Sequence, residues 1–216
     1  MGLKHQAVSA RKWRAAHRRV ETHIPSHLPP LVFLTDPERT PEPIAIAERL
    51  PIGTGILYRH FGAEDRWNVA PRLAGLARQR GFTFLIAADP LLALEVGAHG
   101  VHWPEARLRD ALKWRGRFRL QTASAHSRSA IVRAERMGLD AALVSTVFPS
   151  KSPSAGQPMG SLRLRRLAQT GRLPLYALGG IDAENSAQVS DVAGLSAISS
   201  FTALKSDDRV HSQVQS

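Results

Sequence analysis

The chain has 216 residues and no cysteine. That absence excludes a disulfide framework, a thiolate metal site and a cysteine nucleophile. No window approaches the roughly 20 consecutive apolar residues of a membrane span, so a membrane partner is not expected. Residues 1–20 contain no acidic side chain and no apolar run of the kind a secretory signal needs. Together these absences fit a cytoplasmic chain. No glycine-rich turn follows the first apolar run, which argues against a dinucleotide-binding open sheet.

What is present is basic. Lys and Arg number 29 against 18 Asp and Glu, a formal charge of +11. The excess is uneven. Lys4, Arg11, Lys12, Arg14, Arg18 and Arg19 lie in the first 20 residues, and without them 23 basic residues face 18 acidic ones. Residues 1–30 therefore read as a basic N-terminal extension. Val8, Trp13, Ala16 and Val20 would give a helix there a thin apolar stripe, and the run IPSHLPP at 24–30 would end it. The expectation is a solvated or loosely docked segment, with contact to a polyanion or a membrane surface as the alternative. The segment has one aromatic residue, Trp13, and belongs to no recognised nucleic-acid module, so no nucleic-acid partner is expected.

From Leu31 onward one pattern recurs. Short apolar runs lie at 31–35, 55–59, 82–89, 100–103, 119–124, 141–146, 173–180 and 195–200. They are apolar along their length instead of alternating, as parallel strands covered on both faces are. Between them, residues 67–80, 127–137 and 161–167 carry helical spacing, and Gly81 and Gly138 stand where C-caps belong. Eight strand–helix repeats predict an α/β fold, a single (β/α)8 barrel over residues 31–205, followed by a tail at 206–216.

In such a barrel the chemistry sits at the strand C-termini. Those ends read Thr35-Asp36, Arg59-His60, Asp89, His102, Ser124 with His126, Ser145-Thr146, Gly179-Gly180 and Ser199-Ser200. The glycine pair and the serine pair after strands seven and eight suit a phosphate cradle, with ordinary turn chemistry as the alternative. His126 suits acid–base work near neutral pH, or a structural role under its loop. His102 reads as structural.

The segments GAHGVH (97–102), SAHS (124–127), MGLDAALVSTVFPSKSPSAGQPMG (137–160), ALGGIDAEN (177–185) and AGLSAISS (193–200) together resemble the thiamine phosphate synthase/TenI family. The resemblance implies a compact (β/α)8 barrel of thiamine biosynthesis. The synthase joins hydroxymethylpyrimidine diphosphate to thiazole phosphate and releases pyrophosphate, usually with Mg²⁺. TenI relatives tautomerise a thiazole phosphate without metal, and there the histidine falls on His126. Partners would then be small phosphorylated pyrimidines and thiazoles, and a homo-oligomer is compatible.

Carried over by position, the resemblance makes Arg59 and Ser124 diphosphate-binding and catalytic residues, beside His126, and makes Asp89 a metal ligand. It places the thiazole phosphate on Ser150, Ser152, Gly179, Gly180, Ile198 and Ser199, and adds Lys151, as a substitute for a missing lysine, and Gly160 to the substrate- and phosphate-binding set. The diphosphate half departs from the family pattern. Of a Gln-x-Arg-x-Lys motif only Arg59 stands, with His60 beside it as a potential cation. The Asn of an Asn-Asp pair is Ala88, and the second metal-binding carboxylate falls near Arg107. Asp89 precedes Pro90 and has a second reading as a helix N-cap.

Overall fold

In a computed structural model, which describes residues 2–60, 62–152 and 155–203, the apolar runs close into one barrel of eight parallel strands in sequence order. The strands are β1 (Leu31–Leu34), β2 (Gly55–Tyr58), β3 (Thr83–Ala87), β4 (Gly100–Trp103), β5 (Leu120–Ala125), β6 (Ala141–Val144), β7 (Leu175–Ala177) and β8 (Gly194–Ala197). Nearly every strand residue is buried, because the inner face meets the barrel core and the outer face meets the surrounding helices. The expected tail at 206–216 lies outside the described residues.

The helices are α1 (Gly2–Glu21), α2 (Pro43–Ala47), α3 (Arg66–Arg80), α4 (Pro90–Glu95), α5 (Asp110–Lys113), α6 (Arg128–Arg136) and α7 (Gly160–Ala168). α3 buries Ala70, Leu73, Ala74 and Ala77, and stops at Gly81, whose φ of +67° suits a residue without Cβ. α6 starts where the Ser127 hydroxyl accepts from Ala130 N–H at 3.2 Å. The helical layer is thin after β7 and β8, where only 3₁₀ turns stand at Ser186–Gln188 and Ser200–Ala203.

That gap is where the basic N-terminus lies, and here the sequence expectation needs correction. α1 is neither solvated nor loosely docked. It packs on β8 and on both 3₁₀ turns. Trp13, Ala16 and Val20 are buried at 1%, 3% and 0% exposure. Trp13 tilts against Phe201, with ring centroids 4.6 Å apart. Polar contacts frame the contact: Lys12 pairs with Glu184, Arg19 reaches the Ala187 carbonyl at 3.3 Å, and a ring nitrogen of His23 lies 2.9 Å from the Ser190 carbonyl. After the helix, Ile24 and Leu28 join the core, and the Tyr176 hydroxyl donates to the Pro29 carbonyl at 2.6 Å. The reason is geometric. Positions 13, 16 and 20 share one helical face, and burying an indole outweighs the order it imposes. Arg11, Arg14, Arg18 and Arg19 stay on the exposed side.

Candidate active site

The strand register builds the site from below. His102 on β4 lies level with Thr122 on β5. Its ring is buried, with Nδ1 at 2.9 Å from the Thr122 hydroxyl and Nε2 at 2.9 Å from the Ser124 hydroxyl. Burial, with the charge of Arg59 adding to it, pushes His102 down to about 3. The imidazole is therefore neutral at any working pH. One nitrogen donates and the other accepts, so His102 fixes the Ser124 hydroxyl at the top of β5. The structural role expected for His102 thus has a specific object.

Above this layer the mouth of the barrel opens into a cavity of about 540 Å³. Arg59, Ser124 and His126 line one side of it, and Ser150, Lys151 and Ser152 line the loop side. Gly179, Gly180, Ile198 and Ser199 line the end formed by β7 and β8. The glycine pair turns with φ of +93° and +65°. A Cβ on Gly180 would lie 2.3 Å from the Pro149 carbonyl oxygen, so only glycine lets the β6 loop approach. The next residues pin that turn. Asn185 donates to the Gly180 carbonyl at 2.7 Å, and the Asp182 carboxylate accepts the N–H groups of Glu184 and Asn185 at 2.9 Å each. Ser200 ties the eighth loop to the seventh through the Ile181 carbonyl at 2.6 Å. The buried Ser196 hydroxyl also borders the cavity and has no hydrogen-bond partner among the described residues.

Three charged residues to which the sequence assigned no role, Asp36, Arg39 and Glu105, organise this mouth. Asp36, at the end of β1, joins Arg39 and Arg59: its Oδ2 lies 3.2 Å from Arg39 Nη2 and 2.9 Å from Arg59 Nη2. Burial alone would raise its carboxyl, but the hydrogen bonds and charges of Arg39, joined by Arg59, hold it at about 2. Glu105, after β4, accepts from both the backbone N–H and Nδ1 of His126, at 2.9 and 3.0 Å, and from Arg133 at 3.0 Å. Burial pushes Glu105 up, and these partners more than reverse it. Nδ1 of His126 is thereby a donor, and Nε2 is the ring nitrogen left for a ligand. The acidic position of Asp36 was visible as a strand end, but nothing in the spacing linked it to Arg39.

Two predicted residues lie elsewhere. Gly160 starts α7, with its N–H bonded to the Val147 carbonyl at 2.9 Å, and does not line the mouth. Asp89 lines a separate cavity of about 220 Å³ with Tyr58, His60, Arg66 and Arg107. Its Oδ1 accepts from Leu92 N–H at 3.0 Å and caps α4, and its Oδ2 is 3.6 Å from Arg66. Arg107 is held there by Asp110 and by the Ala88 carbonyl, at 2.9 and 2.8 Å. His60 stacks on Tyr58 with centroids 4.6 Å apart. Burial lowers the His60 pKa against the pull of Asp65 and Asp36, so it is mainly neutral at pH 7 and not the cation expected. Among the described residues no group of three or more His, Asp and Glu is placed to hold a metal. Asp89, already used as a cap and facing a guanidinium, does not fit a Mg²⁺ site.

A larger cavity, of about 700 Å³, opens at the opposite end, between residues 24–30 and the starts of β3 and β5. No strand C-terminus reaches it, and barrel chemistry does not sit at that face. Among the described residues no helix is long and apolar enough to cross a membrane.

Comparison with known proteins agrees with this geometry. The family model described as thiamine monophosphate synthase matches residues 31–204. The thiamine-phosphate synthase of Listeria monocytogenes serotype 4a (strain HCC23) is 33% identical over 181 residues, covering 77% of this chain and 83% of its own. That of Bacillus velezensis (strain DSM 23117 / BGSC 10A6 / LMG 26770 / FZB42) is 30% identical over 176 residues, covering 76% and 77%. Among solved structures, the thiamine phosphate pyrophosphorylase from Pyrococcus furiosus superposes with a TM-score of 0.69 at 23% identity, over 82% of this chain and 91% of that one. FabK from Thermotoga maritima superposes at 0.62 with 14% identity, over 80% and 58%. These two likenesses speak for the barrel alone.

Proposed function

The chain belongs to the thiamine monophosphate synthase family, and from that premise we propose that it is a thiamine-phosphate synthase, a transferase of thiamine biosynthesis. It joins an aminopyrimidine methyl diphosphate to a thiazole phosphate and releases pyrophosphate. The observation that carries this reading is the common mouth. Positions expected to hold the diphosphate and positions expected to hold the thiazole phosphate border one cavity at the C-terminal ends of the strands.

The roles follow from placement. The bond from the pyrimidine methylene carbon to the diphosphate oxygen breaks, and its electron pair leaves on that oxygen. The thiazole nitrogen lone pair forms the new carbon–nitrogen bond, and no external reactant is needed. Arg59 and Lys151 meet the charge that grows on the leaving group. Ser124, fixed by neutral His102, donates its hydroxyl to the same oxygens. His126, held against Glu105, offers its remaining ring nitrogen. Ser150 and Ser152, with the turn of Gly179-Gly180 and with Ile198-Ser199, hold the thiazole phosphate so that the two reactants lie in line. The substrates are soluble metabolites, and the reaction belongs in the cytoplasm. No step is routed through a metal, because the described residues do not supply a site for one.

The test is direct. The purified full chain, given both substrates, should form thiamine phosphate and pyrophosphate. Ser124→Ala and Lys151→Gln should each lower kcat/KM by about tenfold, the loss expected when one hydrogen bond to a charged group is removed. Absence of product at saturating substrate refutes the proposal.

A further inference from the structure

One carboxylate beside the mouth, Asp36, gathers two guanidinium groups that line it. Asp36 Oδ1 accepts the backbone N–H groups of Glu38 and Arg39 at 3.2 and 3.0 Å, which fixes the turn after β1. Its Oδ2 then takes one N–H from Arg39 and one from Arg59. The Arg59 backbone is fixed as well, by its N–H to the Thr35 hydroxyl at 2.9 Å. A guanidinium carries five N–H donors in a rigid plane. Each arginine therefore keeps donors beyond the one given to Asp36, and the Arg39 Nε is buried with no partner among the described residues. Both side chains border the mouth, and both remain about a quarter exposed. Lys151 adds a third cation across the opening. Among the described residues Asp182 is the carboxylate that lines this cavity, and its Oδ1 accepts the N–H groups of its own turn.

This is the reverse of what a divalent cation needs. Mg²⁺ is held by carboxylate and substrate oxygens, whereas here the diphosphate side of the mouth presents guanidinium. Asp89, the residue positioned by resemblance as metal ligand, caps α4 and faces Arg66 in the other cavity. We propose that the diphosphate is bound directly by the paired guanidinium groups of Arg39 and Arg59, preset by Asp36, and that the reaction needs no bound divalent metal. Arg39 is then a further diphosphate-binding residue, and Asp36 is its positioning residue. The proposal rests on the synthase reading of the same mouth. When the carbon–oxygen bond breaks, the charge on the leaving oxygens is met by charge-assisted, fork-shaped hydrogen bonds instead of by a metal.

Titration calorimetry of the full chain with inorganic pyrophosphate, in EDTA and separately in Mg²⁺, tests this. Binding in EDTA should lie within about threefold of binding in Mg²⁺. In EDTA, Arg39→Gln should weaken it by about tenfold or more, and Arg39→Lys, which keeps charge but loses the fork, should fall between. Thiazole phosphate should bind all three proteins alike. Pyrophosphate binding that vanishes in EDTA overturns the proposal, as does an Arg39→Gln protein that binds like the parent. Thiamine phosphate formation in both buffers separates the two levels. Product only with Mg²⁺ overturns this proposal and leaves the synthase intact. Metal-free pyrophosphate binding with product in neither buffer supports the arginine site and overturns the synthase reading.

Discussion

Asp36→Asn removes the charge and, with it, the acceptor that Arg39 and Arg59 share, since an amide NH₂ then stands in place of Oδ2. The amide oxygen can still accept from Glu38 and Arg39 N–H, so the turn after β1 keeps its bonds. What disappears is the anion between Arg39 and Arg59. In the folded chain this carboxyl is held at about 2 against an ordinary 3.8. A depression of that size corresponds to roughly 2 kcal/mol of folding free energy at neutral pH. The two arginines are partly exposed, and solvent screens part of the effect. We therefore expect a loss of about 1–2 kcal/mol at pH 7, or a melting midpoint lower by about 2–8 °C for a chain of this size. The sign with pH is fixed. A carboxyl with a lowered folded pKa contributes fully above its unfolded value and loses that contribution as pH falls towards 2. Urea unfolding of parent and variant at pH 7, 5 and 3 should show the gap constant between 7 and 5 and narrowing at 3. Equal stability at pH 7, or a gap that ignores pH across this range, refutes the reasoning.

Two further substitutions probe the frame. Trp13→Ala should cost about 3–5 kcal/mol in urea unfolding, as for other buried aromatic truncations, and a loss under about 1 kcal/mol would mean that α1 is not docked as described. Ala88 holds a φ of +56° at the end of β3, a region that asparagine tolerates better than alanine. Ala88→Asn should raise the thermal midpoint by about 1–4 °C, equivalent to roughly 0.5–1 kcal/mol, and a fall would count against strain at that position.

The barrel was legible because its strands announce themselves. Each is a short apolar run buried on two faces, and all eight runs became strands. Gly81 announced the end of α3 for the same kind of local reason. The part of the mouth built by β7 and β8 was legible because Gly179-Gly180 and the serines after β8 sit at strand ends. The anchoring of α1 was not legible. A stripe of Trp13, Ala16 and Val20 states that one face is apolar, but the surface that covers it comes from residues 186–203. The pairing of Asp36 with Arg39 and Arg59, and of Glu105 with His126, crosses between loops of different strands. Local pattern carries no term for such contacts. Asp89 shows the opposite limit. The family resemblance suggested a metal ligand, and the N-cap reading set beside it describes where Oδ1 is used.

The docking of α1 also sets an order in time. Its polar partners Glu184 and Ala187 lie 172 and 168 residues further along the chain. At the roughly 5–20 residues per second of protein synthesis, the helix leaves the ribosome about ten to thirty seconds before the surface that receives it exists. During that interval its indole has nowhere to go, and contacts of such long sequence separation form late. A helix made before every strand of the barrel thus waits for its last strand, and a nascent chain halted before β8 leaves that wall open.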